Sequence, residues 1–121
     1  SMNVIYNLPH PLKAIKEVLR VLKEGGLFLL SGPNPSSNEA KIDEVMNEAL
    51  IPELKEKGLY ESLKEQVEQV RQVNKKLMDL PTKYSVSEIS SILIRQIGFK
   101  EVVYSSDQLY WNAGHFVVVR K

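Results

Sequence analysis

The chain has 121 residues, a net charge of +1, 43% hydrophobic and 26% charged residues, the balance expected of one globular domain with a modest core. Zero cysteines exclude disulfides, thiolate metal sites and a cysteine nucleophile. The near-neutral charge, without a Lys/Arg cluster interleaved with aromatics, argues against a nucleic-acid partner; no apolar run approaches the ~18 residues of a membrane span and no signal-peptide pattern is visible, so a cytoplasmic location is expected.

Asn3–Tyr6 is short and β-prone and reads as a strand, followed by the turn-like Asn7-Leu-Pro-His-Pro11. Prolines remove backbone donors and bias the preceding residue toward extended conformations, yet Pro11 suits the first turn of a helix. From Leu12 onward, Ile15, Val18, Leu19 and Leu22 follow helical spacing. Arg20 and Lys23 oppose the negative end of the helix dipole, and Gly25 or Gly26 supplies the left-handed residue that stops the helix. Gly26–Ser31, Gly-Leu-Phe-Leu-Leu-Ser, is a short apolar run that predicts a strand covered on both faces, opening into the turn-rich Ser31–Asn38.

Residues 39–80 change character, being strongly helical and highly charged, with a break expected at Lys57–Gly58. Leu63, Val67, Val70, Val73, Leu77 and Leu80 fall three or four residues apart, two to three heptads in all. Two readings fit: a helical hairpin covering one side of the domain, or a self-association seam. After Pro81–Tyr84, Ser85 and Glu88 have capping-box spacing, Ile89, Ile92, Leu93 and Ile97 form an apolar face, and Gly98 ends the helix. Phe99–Ser105 and His115–Arg120 read as strands, and the residues between them are too many for a tight turn.

The join Arg20-Val21-Leu22-Lys23-Glu24-Gly25-Gly26 resembles the R-V-L-K-P-G-G element of class I S-adenosylmethionine-dependent methyltransferases, closest to the small-molecule (type 11-like) branch; Glu24 stands where that family usually has proline. Ile94–Tyr104 is similar to the family's approach to its sixth strand, and Phe116–Lys121 to its last strand. The resemblance implies an α/β, partial Rossmann-like sheet of strand order 4-5-7-6 within a single truncated domain over residues 2–121, with residues 39–80 as a helical insert. Three strands would be parallel, with the last antiparallel between its neighbours.

The family anchors its cofactor in its first half, on a glycine-rich loop and an acidic residue that holds the ribose. The glycines here are 25, 26, 32, 58, 98 and 114, so no G-x-G occurs, and Gly25-Gly26 precedes a strand where a phosphate-type loop would follow one. The resemblance therefore implies a portion of a methyltransferase acting on a small molecule. S-adenosylmethionine would be its cofactor in the complete enzyme, and this chain by itself would neither bind it nor turn over. The other reading is a non-catalytic dimerisation or partner-binding module derived from such an enzyme.

By position in the family, Asn7 is the candidate for the methionine end of the cofactor pocket. Asn34, in the loop leaving the carboxyl end of a strand, and Tyr84 are candidates for the substrate side. Each also has a plain reading, as turn or packing residues. His10 reads as a turn or cap residue and His115 as a structural histidine; with no carboxylate partner motif they support no metal site. The Asn3–Tyr6 strand would become a sheet edge, a template for another chain. A homodimer or swapped assembly through that edge or through the Leu63–Leu80 helix is thus expected, or a complementing N-terminal half.

Overall fold

In the computed structural model, residues 4–79, 83–109 and 111–121 are described. They form two compact units, one from residues 1–35 with 81–121 and one from 36–80.

The first unit is α/β. A 3-10 turn at Ile5–Asn7 leads into helix α1 (Pro11–Val21), with proline in its first turn. Leu22 is already extended, and a tight turn closes with the Gly26 amide donating to the Lys23 carbonyl at 2.9 Å. Gly25 has φ +74°, so it is the left-handed residue here, a conformation costly for any side chain with a Cβ. The last residue completes this corner: Lys121 Nζ donates to the Leu22 carbonyl at 2.7 Å and to the Arg20 carbonyl at 3.3 Å, putting positive charge on the carbonyl end of α1. Glu24, at the variant position of the join, pairs with Lys100 at 2.8 Å.

Strand β1 (Leu27–Pro33) follows. Helix α5 (Val86–Ser91) starts at the capping box: Ser85 Oγ accepts from the Glu88 amide at 3.2 Å, and Glu88 Oε2 accepts from the Ser85 amide at 2.8 Å. It continues as a π-helical turn, Ile92–Ile97, whose end is widened by the Gly98 and Phe99 amides both reaching the Leu93 carbonyl. Strands β2 (Glu101–Leu109) and β3 (Gly114–Arg120) complete a three-stranded sheet of order β1-β3-β2, with β3 antiparallel to both neighbours. The β2–β3 connection turns through Trp111 and Asn112, both at positive φ.

One sheet face carries the core: Phe28, Leu30, Val117 and Val119 are buried there, with Phe28 stacked on Phe99 at 5.9 Å. Ile15 of α1 and Ile89 and Leu93 of the α5 segment are fully buried as well. On the other face, alternate residues Leu27 and Leu29 are exposed, as is Tyr104.

Three expectations need correction. Val4 has helical dihedrals and Ile5–Asn7 is a 3-10 turn, so Val4–Tyr6 is not a strand; Asn3 lies outside the described residues. The cause is tertiary: Ile5 and Tyr6 turn inward and are both buried, which an edge strand of alternating side chains would not allow. Among the described residues the sheet accordingly has three strands rather than four, and no pair of its neighbours is parallel. The three strands stand in the order β1-β3-β2, with the final one antiparallel in the middle. Finally, β1 is covered on one face only over its first half.

The second unit is helical. Asn38 caps α2 (Glu39–Val45) by accepting from the Lys41 amide at 3.0 Å. A π-helical turn, Met46–Leu50, joins it to α3 (Ile51–Glu56). Pro52 accounts for the widening: it has no N–H to offer the preceding turn and its ring crowds the carbonyl behind it, so the Ile51 amide bonds to the Met46 carbonyl instead. The break expected at Lys57–Gly58 is present, with Gly58 at φ +68°, and α4 (Tyr60–Met78) follows. Asp43 of α2 accepts from Arg71 at 2.8 Å and Lys75 at 3.0 Å of α4, and Asn47 accepts from Arg71 at 3.0 Å.

Candidate functional site

A cluster of polar and aromatic residues, with Asn34 and Tyr84 among the candidates, lies at the carboxyl end of β1. Gly32 and His115 are directly opposed across the β1–β3 ladder. Because Gly32 has no side chain, the Tyr6 ring fills the space above it; a Cβ there would fall 2.0 Å from Tyr6 Cε2. Tyr6 in turn meets the His115 ring edge-on, with centroids 5.6 Å apart, and its hydroxyl and His115 Nε2 share a 2.7 Å hydrogen bond. Tyr84 packs obliquely on Tyr6 at 6.1 Å.

Burial sets the protonation of this pair. His115 is fully buried, and desolvation holds its pKa below the usual histidine value, opposed in part by the Tyr84 backbone. Burial, followed by repulsion from the Tyr84 side chain, pushes the Tyr6 hydroxyl well above the ordinary tyrosine value. Near neutral pH both groups are uncharged.

Asn34 stands one residue past β1 and is buried. Its amide N–H group works on the β2–β3 connection: Nδ2 donates to the carbonyls of Gly114 at 3.1 Å, Asp107 at 3.2 Å and Asn112 at 3.4 Å, while its backbone amide donates to Ala113 at 3.0 Å. Three carbonyl acceptors fix which side-chain atom is nitrogen. Oδ1 therefore points the other way, buried and without a partner.

Of the three candidates, Asn34 and Tyr84 both reach this end of the sheet, whereas Asn7 closes the 3-10 turn with an exposed side chain. Tyr6 and Gly32 carry the cluster and were not singled out from the sequence; a glycine in an otherwise apolar strand run is the signal that marks close approach by another group. His115 is buried on β3, with Nε2 hydrogen-bonded to the Tyr6 hydroxyl.

The buried polar side chains among the described residues are Ser31, Asn34, Ser37 and His115, with no carboxylate among them. Three or more metal-ligating side chains do not gather anywhere among the described residues, nor is any described helix long and apolar enough to cross a membrane. No family model, curated protein or solved structure matches the chain.

Proposed function

We propose that this chain is the C-terminal portion of a class I S-adenosylmethionine-dependent methyltransferase acting on a small molecule, inactive without the segment that holds the cofactor. One observation carries the reading: the Arg20–Gly26 join feeds a strand, β1, that lies beside a final strand running antiparallel between β1 and β2. That arrangement is what the resemblance implies for the last three strands of such an enzyme.

In the complete enzyme, catalysis rests on placing donor and acceptor in line. This chain's contribution is to the acceptor side. Tyr84, half-buried beside Tyr6, supplies an aromatic wall. His115 is too deeply buried to meet an acceptor as a base.

The test is calorimetric titration of the purified chain with S-adenosylmethionine, with S-adenosylhomocysteine as control. No heat and no thermal stabilisation is the expected result for the chain alone, with binding restored when a chain carrying a glycine-rich strand-loop-helix is added. Saturable binding by the isolated chain overturns the claim that the cofactor site lies elsewhere.

A second reading, a non-catalytic partner-binding module, is favoured by the way the cluster is already employed. Tyr6 plugs the space over Gly32, and the Asn34 amide holds the β2–β3 connection. Failure of any cofactor-binding half to restore binding, with a different partner recovered, would favour this reading.

A further inference from the structure

The structure divides the apolar stripe of α4. Val67 faces the inside of the second unit, 8% exposed, and Leu63 is half-buried, while Val70 and Val73 are 48% and 56% exposed. Leu80 and the side chain of Leu77 lie outside the described residues. At about 100° per residue, Val70 and Val73 sit side by side on the outer surface of the helix. A shallow depression lies next to them, lined by Glu65, Glu68, Gln69, Gln72 and Val73.

Charge runs unevenly along α4. Its first half carries Glu61, Glu65 and Glu68 against Lys64, a net negative charge, and its second half Arg71, Lys75 and Lys76. Lys75 is engaged with Asp43, and Glu68 with Arg71 and Gln72. Glu65 and Lys76 have no ion-pair partner among the described residues.

We propose that the outer face of α4 is a self-association surface on which a second copy of this chain lays its own α4 antiparallel. Pairing about a twofold axis between Arg71 and Gln72 sets Val70 of each copy against Val73 of the other. The same register brings Lys76 beside Glu65 of the second copy on the shared flank, twice by symmetry. Charge complementarity selects this occupant: a uniformly acidic or basic partner would match one half of the helix and be repelled by the other, whereas an antiparallel copy matches both. Two valines per copy make a small apolar centre, so the dimer is a reversible one that dissociates on dilution. This inference is independent of the methyltransferase reading.

Sedimentation equilibrium of the full chain over a wide concentration range tests it, with far-UV circular dichroism to confirm that each variant keeps its helix content. The wild type is expected to show a monomer–dimer equilibrium. Val73→Glu, and separately Glu65→Lys or Lys76→Glu, should weaken association by roughly tenfold or more, and the double reversal Glu65→Lys/Lys76→Glu should restore it. A monomer at every concentration, a dimer indifferent to these changes, or a double reversal no better than the singles would overturn the proposal.

Discussion

The Tyr6 hydroxyl lies 2.7 Å from His115 Nε2 while the Tyr6 ring occupies the space a side chain at Gly32 would need. A residue from the 3-10 turn is thereby locked onto the sheet by one hydrogen bond and one missing Cβ. The two halves of this lock can be separated by mutation.

Gly32→Ala places a methyl inside the Tyr6 ring and should destabilise the chain by about 1–3 kcal/mol, the usual cost of overpacking a well-filled site. If the clash with Tyr6 is the whole cause, the penalty disappears in a Tyr6→Ala background, although Tyr6→Ala is itself costly. Denaturant unfolding of the two singles and the double gives the coupling. An additive double mutant would show that Gly32 is needed for some other reason.

The pH dependence of stability follows from the same pair. His115 has a depressed pKa in the fold, so the unfolded chain takes up its proton first. Stability is full above the unfolded histidine value of about 6.5 and declines as pH falls from there toward the folded value, by at most about 1.4 kcal/mol per pH unit. Tyr6 has a raised pKa, so its contribution is full below about 10 and is lost as pH rises beyond that. Denaturant midpoints measured across pH should therefore fall on both sides of a plateau. His115→Gln should flatten the acid limb that begins at about pH 6.5, and Tyr6→Phe the alkaline one. An unchanged acid limb in His115→Gln would place the titrating group elsewhere.

Much of this fold is legible in the residues, and most of the exceptions arise from partners distant in sequence. Local signals sufficed for α1 and its Gly25 stop, for the Ser85–Glu88 capping box and for the break at Gly58, because capping and left-handed turns are decided within a few residues. Strand β2 extends to Leu109, four residues beyond the Ser105 end expected from pattern, with two register shifts against β3; pairing extends a strand where periodicity alone cannot. Val4–Tyr6 reads as a strand but folds as a turn because Tyr6 must reach Gly32, a residue far along the chain. The two π-helical turns also escaped: Pro52 marks the first, but nothing local marks the second. At the site, Asn34 was found from its place after a strand, while Tyr6 became visible only through its contact with His115.

The capping box gives a prediction free of the cluster. Ser85→Ala removes the acceptor for the Glu88 amide at the start of a segment that buries Ile89 and Leu93 completely. The loss should be about 1 kcal/mol, within the range of about 0.5–2 for N-cap deletions, and Ser85→Thr should recover most of it. Thermal unfolding followed by circular dichroism decides; equal losses in Ala and Thr would mean the cap contributes nothing.

Asn34 separates donor from acceptor. Asn34→Ala abandons the carbonyls of Asp107, Asn112 and Gly114, and stranding buried acceptors costs about 1–3 kcal/mol. Asn34→Asp keeps the size but replaces the donor with an oxygen, aiming an acceptor at three acceptors and desolvating a negative charge. It should be the worse of the two, despite being the closer in shape, because burial of an unpaired charge outweighs loss of packing. If urea unfolding instead ranks Asn34→Asp as the milder change, the amide is not holding the β2–β3 connection, and its Oδ1 would have to be the atom that matters.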